Sequence, residues 1–262
     1  MSNASEFRGV YTLWLRECRR FVRDRSRLVG SLITPILWLV IFGTGFGKAT
    51  SSFAGLTSDQ FQRFLLPGII GQALLFTAMF MGISVIWDRQ FGFMKEILVA
   101  PISRVSIFAG KMFGVGTGCM IQGIIVLALG FVIGVPLGLY ALGVSFALMA
   151  LITIGLVCVG LIIASLMTSL ESFGTIATFV NMPMFFFSGA LFPVAILPDW
   201  LRWAFYINPL TYGVDALRWA ILGDGWNATH LAVGSLGSDV LIFAAFDVVV
   251  ILVGTYTFSK RQ

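Results

Sequence analysis

The sequence predicts an all-α protein embedded in a membrane, and three observations predict it. Of its 262 residues 58% are hydrophobic and only 11% charged, where soluble domains carry about 25% charged residues. The mean hydropathy is +0.95. From Met112 to Leu170 there are 59 consecutive positions without a charge, more than one helix needs to cross a hydrocarbon core of about 30 Å.

Composition also excludes several classes. The three cysteines, Cys18, Cys119 and Cys158, have no CxxC neighbour. They read as small apolar side chains rather than a disulfide framework or metal site. The single histidine, His230, excludes a histidine-based metal cluster. The pI near 9.4 reports loop orientation rather than nucleic acid. The N-terminus is Arg-rich for more than twenty residues before any apolar run, so no cleavable signal peptide is expected.

Residues 5–25 predict an amphipathic helix in the membrane interface. Phe7, Val10, Tyr11, Trp14, Cys18, Phe21 and Val22 recur at steps of three and four, and Arg8, Arg16, Arg19, Arg20 and Arg23 fall largely elsewhere. Such a helix lays its rings in the acyl boundary and its arginines on anionic headgroups. A first span follows over 28–47, loosened by Pro35. At its end GTGFGKAT (Gly43 to Thr50) imitates a phosphate loop but lacks two elements of it. Phe42 stands where the first Gly belongs, and Ala49 where Ser or Thr belongs. A second span covers 65–86.

A polar interruption, Trp87 to Lys111, separates two apolar runs. It holds Asp88, Arg89, Lys95, Glu96, Arg104 and Lys111. Beyond it, the break Gly134-Val-Pro136-Leu-Gly138 divides the charge-free stretch into spans 107–134 and 137–167. Gly110, Gly114 and Gly118, four apart, permit close helix approach, either within the chain or at a dimer seam. A fifth span covers 173–192. Residues 193–239 are too apolar for a loop and too broken to span. Asn208 as N-cap with Pro209 behind it starts a helix, and Gly223 stops it. With a short helix near Pro198 to Ala204, this predicts a re-entrant helical hairpin. Trp200, Trp203, Tyr206, Tyr212 and Trp219 suit interfacial depth. The sixth span is 240–258. Six spans put both ends on one side, with 13 of the 17 Lys and Arg. The positive-inside rule makes that side cytoplasmic and the hairpin outer. The sequon Asn227-Ala-Thr229 lies on the outer side.

Two stretches carry a resemblance. KEILVAPISRVSIFAGK (Lys95 to Lys111) and FFFSGALFPVAILPDWLRWAFYINPLTYGVDALR (Phe185 to Arg218) resemble the segments after the second and fifth spans of ABC type-2 transporter permeases. The chain is most similar to their drug-resistance and nodulation-factor exporter branch, over essentially its whole length. The resemblance implies a single transmembrane unit, residues 1–262, without its own nucleotide site. It implies a homodimer in the plasma (inner) membrane, served by two copies of a cytoplasmic ATPase that holds ATP and Mg. Residues 87–106 would be the cytoplasmic coupling element seated on that ATPase. The cargo would be amphiphilic, lipid-linked or drug-like, and a polysaccharide or lipid-glycan remains an alternative. An ion-driven secondary transporter is the competing class.

The candidate coupling residues are Phe91, Phe93 and Met94 for docking, Glu96 and Arg104 for transmission, and Pro101 as the end of the docking helix. Solvated surface pairs would otherwise be worth about 0 to 1 kcal/mol. The candidate pore or gate residues are Asn181, Phe185, Asn208, Tyr212, Asp215 and Asp247. Phe185 to Phe187 with Met182 and Met184 form a soft aromatic wall, facing either the path or lipid. Asp247, halfway down the last span, needs a partner, water or a proton. Asp199 with Arg202 and Asp215 with Arg218 read as local i, i+3 pairs.

Overall fold

The computed structural model describes residues 3–45, 58–93, 102–135, 137–194, 197–223, 226 and 232–261. Met94, Glu96, Pro101, Lys48, His230 and the sequon fall outside them. Among the described residues every regular element is helical: α1 (Asn3–Arg23), α2 (Arg25–Val40), α3 (Ser58–Met81), α4 (Ile83–Gln90), α5 (Arg104–Val132), α6 (Leu139–Leu166), α7 (Leu170–Phe186), α8 (Asp199–Ile207), α9 (Pro209–Leu222) and α10 (Leu236–Arg261). A π-helical turn, Ile41–Gly45, extends α2.

Among the described residues four helical runs are long and apolar enough to cross a membrane: Gln60–Gln90, Arg104–Val132, Leu139–Leu166 and Leu236–Lys260. The expected first and fifth spans are shorter pieces. An apolar stretch covers Leu32–Gly43, and α7 has 17 residues. α7 stops before the sequence-based boundary because the chain turns at Gly189, whose φ is 70°. The carbonyls freed there are taken by Arg218, whose guanidinium donates to Gly189 O at 2.6 Å and Ala190 O at 3.3 Å.

α3 is the centre of the bundle, with α2, α5, α6, α7 and α9 packed around it. Phe61, Leu65, Leu66, Ile69, Ile70, Leu74 and Leu75 have no exposed surface. Burial on every side of the axis makes it the interior helix of the bundle, enclosed by protein. By contrast α10 exposes Leu241, Val248, Val249, Leu252 and Tyr256 along its length. The breaks follow local chemistry. α5 ends beside Gly134, whose φ of 75° suits a residue without Cβ. Asn208 caps α9 by accepting from Leu210 N at 3.1 Å, with Pro209 in the first turn.

The glycine stripe of α5 is filled from within the chain. A Cβ on Gly110 would lie 2.8 Å from Leu13 Cβ, and one on Gly114 would lie 2.5 Å from Glu17 Cβ. On Gly118 it would meet Phe21 and Met81, each at 2.9 Å. Leu13, Glu17 and Phe21 are successive turns of one face of α1, all buried. The predicted apolar face of α1 is therefore divided: Phe21 packs on α5 and Trp14 reaches Thr117, while Phe7, Tyr11 and Val22 stay exposed.

Overpacking of this kind costs about 1–3 kcal/mol. Gly114→Leu is expected to lift α1 from α5 and lower the melting temperature in detergent. Gly143→Leu, where a Cβ meets nothing within 4 Å, is expected to leave it unchanged.

Candidate functional site

The close approach of α1 to α5 carries Glu17 to Lys111, a lysine with no exposed surface on α5. The Lys111 ammonium donates to Glu17 Oε1 at 3.3 Å and to Asp88 of α4. Arg16 donates to Asp88 and, at 3.2 Å, to Glu17. Arg20 lies 3.7 Å from Asp88 and stacks 4.6 Å over the Trp87 ring. Two buried carboxylates, one from α1 and one from α4, thus meet three cations, two from α1 and one from α5. Burial lowers the proton affinity of the Arg16 guanidinium, but Asp88 and then Glu17 outweigh burial and hold its pKa above the ordinary value.

Further bonds extend the junction. Arg89 donates to Met167 O at 3.0 Å and Ser165 O at 3.2 Å, closing the end of α6. The Trp14 indole donates to Thr117 Oγ1 at 2.9 Å. Glu6 accepts from the Ser103 amide and hydroxyl, each at 3.0 Å, where α5 begins. Hydrogen bonds from Ser106 and from the Ser103 amide hold the Glu6 carboxyl below the usual carboxylate range. Arg104 donates to Ser259 O at 2.8 Å. The N-terminal helix, the start of α5 and the end of α10 therefore meet at one end of the bundle.

The sequence-based candidates sort around this junction. Phe91 and Phe93 follow α4 directly and are 72% and 50% exposed. They border a hollow shared with Arg16, Arg20, Trp87 and Asp88. Between them Gly92 turns the chain with φ 81°. The polar interruption is not one element. Asp88 and Arg89 belong to the last turn of α4, Arg104 and Lys111 to the start of α5, and Asp88 and Lys111 are buried rather than solvated.

The pore and gate candidates do not form one group. Phe185 packs edge-on to Trp38 of α2 at 5.3 Å and Phe76 of α3 at 6.2 Å. Nearby, α1, α2 and α3 enclose a cleft of about 390 Å³ lined by Phe21, Thr34, Pro35, Gln72, Phe76 and Phe80. Gln72 is buried, and its Oε1 has no hydrogen-bond partner. Asn181 is buried with neither amide atom bonded. Asn208 donates to Met184 O at 2.7 Å, and Tyr212 donates to Tyr206 O at 2.8 Å. Asp215 accepts from the Trp226 indole, Val233 N and Gly234 N. Asp247 is buried against Gly155 of α6, apart from the cleft, and neither of its oxygens has a hydrogen-bond partner among the described residues.

Of the two hairpin pairs, Asp199 and Arg202 meet at 2.9 Å. Asp215 and Arg218 do not pair. Arg218 is buried 3.8 Å over the Phe64 ring and is held by backbone carbonyls. Sequence reasoning missed Glu17, gave Arg218 a partner that it does not have, and gave Lys111 no role beyond its charge. Glu17 sits among arginines and reads as a surface residue. A usable signal was Lys111 itself, a charge inside a predicted span beside a small-residue stripe, which demands a counter-ion.

With this geometry in view, residues 8–222 match the family model for the ABC-2 type transporter. The chain belongs to the ABC-2 type transporter family. It is 29% identical to the putative transport permease ycf38 of Cyanophora paradoxa, over 99% of this chain and 91% of the relative. It is 26% identical to the inner membrane transport permease YadH of Escherichia coli K12, over 82% and 83%. Nodulation protein J of Rhizobium leguminosarum bv. viciae is 27% identical, over 90% and 88%. This ABC-2 protein is thus a membrane transport permease by family.

Removing one member of a buried ion cluster costs about 3–5 kcal/mol, because the others stay buried without it. Lys111→Met and Asp88→Asn are each expected to destabilise the protein by that order. The double variant should cost clearly less than the sum, as a chemical-denaturation cycle would measure. The Glu6 bond works differently. A carboxyl with a lowered folded-state pKa contributes stability above its unfolded pKa and loses it as pH falls through the folded value. Acid below the ordinary carboxylate pKa should loosen the N-terminal turns of α1, and Glu6→Gln should reduce that acid dependence in hydrogen exchange.

Proposed function

We propose that this chain is the permease half of an ATP-driven exporter and moves an amphiphilic, lipid-linked or drug-like substrate outward. Residues 1–262 form one transmembrane unit that works as a homodimer in the inner membrane. Two copies of a separate ATPase subunit bring ATP and Mg. The spans are six, the four long helices with α2 and α7 as shorter crossings. The ends lie in the cytoplasm, and α8 and α9 form the outer re-entrant hairpin.

One observation carries the reading. Phe91 and Phe93 stand exposed immediately beyond the point where α4 is gripped by α1 and α5 through Asp88 and by α6 through Arg89. Exposed aromatic side chains are typical interface anchors. A force on them reaches a junction too well bonded to yield locally. Closure of the ATPase dimer would move 87–106 and, with it, α1, α3, α5 and α6. Glu96 and Arg104 would pass part of that motion, Arg104 through Ser259 of α10. The cleft between α1, α2 and α3, next to the Phe185 cluster, suits an amphiphile. It offers rings and a lone amide at Gln72.

Co-expression with a candidate ABC ATPase subunit tests the reading. The wild type is expected to retain the ATPase through purification and to show substrate-stimulated hydrolysis. Phe91→Ala with Phe93→Ala should weaken retention about tenfold or more, the loss expected of interface anchors. Glu96→Ala or Arg104→Ala should leave the ATPase bound but uncouple hydrolysis from export. Failure of the wild type to associate with any ATPase would overturn it.

A further inference from the structure

Asp239, in the first turn of α10, has no exposed surface, and neither of its oxygens has a hydrogen-bond partner among the described residues. Across from it stands Asp215 of α9, equally buried. Gly234 touches both. Its amide donates to Asp215 Oδ2 at 3.2 Å, and a Cβ on it would lie 2.6 Å from Asp239 Oδ1 and 2.8 Å from Ser238 Oγ. The two carboxyl groups face each other within hydrogen-bonding reach. When both are ionised, neither has a proton to give the other.

The described groups around the pair do not neutralise Asp239. Asp215 accepts from the Trp226 indole, Val233 N and Gly234 N. Arg218 lies in the field of Asp215 but donates to the carbonyls of Phe64, Gly189 and Ala190. Tyr212 is near enough that burial, and then the Asp239 charge, push its phenol pKa up, yet its hydroxyl donates to Tyr206 O. The Ser238 hydroxyl donates to Ser235 O at 2.8 Å.

Buried charges are paired or coordinate metals. A proton shared between the carboxyls would serve one Asp239 oxygen and leave the other bare. A cation chelated by the carboxylate serves both. Two carboxylates match the charge of a divalent ion, and an all-oxygen donor set suits a hard one. The geometry points to a calcium or magnesium ion bound between Asp239 and Asp215, with both Asp239 oxygens as ligands and Asp215 and the Ser238 hydroxyl as neighbouring donors. The ion ties the start of α10 to α9. This goes beyond the transport reading and needs neither an ATPase nor a cargo, so the two fail separately.

The test uses the purified full-length chain in detergent, stripped with EDTA. Calcium and magnesium are then added separately at constant ionic strength. Uptake is measured by equilibrium dialysis, and the melting temperature is followed. The wild type is expected to take up one ion per chain and to gain about 5 °C or more at roughly hundredfold excess over the dissociation constant. A response to either ion supports the site and names the ion. Asp239→Asn should lose both the uptake and the gain. In EDTA the same variant should melt no lower than the wild type, since it removes a buried charge without a donor; a lower value would give Asp239 a protein partner and overturn the premise. Asp199→Asn removes an exposed carboxylate of α8 and should keep both responses. Absence of uptake by the wild type would overturn the proposal, as would full uptake by Asp239→Asn. Equal loss in Asp199→Asn would reduce the effect to diffuse attraction at surface carboxylates and overturn it too. A wild type that ignores both ions, and is stabilised instead by acid through Asp239, would hold a shared proton rather than a metal.

Discussion

Lys111 has no exposed surface, and a charged ammonium in that position is tolerable only beside carboxylates. The arrangement of this end of the molecule follows from that constraint. One counter-ion, Asp88, comes from the last turn of α4, and the other, Glu17, from α1. Glu17 reaches Lys111 only because Gly114 lets the two helices touch. Arg16 then balances the second negative charge. A buried cluster of this kind adds little net stability compared with apolar packing, but it fixes which surfaces meet, because any partial break strands a charge. Its value here is geometric: three helices are held in one register at the foot of the central span.

The opposite end of the bundle handles its buried charge in another way. Among the described residues no carboxylate forms a salt bridge with Arg218. It lies over the Phe64 ring and donates to carbonyls of the turn after α7 and of α3 itself. Gly68 allows that turn to pass close against α3 at Ala190. The central run Gln60–Gln90, α3 with α4, is therefore anchored at both ends by a buried cation, through carboxylates at one end and carbonyls at the other. Between these anchors the contacts are apolar and aromatic, and the cleft beside Gln72 opens there. A rigid frame with a softer middle fits the proposed transport role.

Much of the architecture was legible in the sequence because hydropathy and helix-breaking residues act locally. The turn at Gly134 and the cap at Asn208 both form where the chain says they should. The resemblance in Lys95 to Lys111 and Phe185 to Arg218 pointed to the family. What stayed hidden depends on contacts between segments far apart in the chain. In Arg16-Glu17-Cys18-Arg19-Arg20, nothing local marks Glu17 as buried. Its position only acquires meaning once Gly110 and Gly114 have drawn α1 onto α5. The pairing of Asp215 with Arg218, reasonable on a free helix, fails because each side chain finds better partners in the chain around it. Asp88 and Lys111 stand at the two ends of a polar stretch, and nothing local says that they meet inside the bundle.

The central claim is that α1, α4 and the start of α5 form one mechanical unit because of the Lys111 cluster. Hydrogen–deuterium exchange on the full-length protein, wild type against Lys111→Met, tests it most directly. The account predicts slow exchange through residues 8–20 and 83–90 in the wild type, and a joint increase in both segments in the variant. An increase confined to one segment, or none in either, would contradict it.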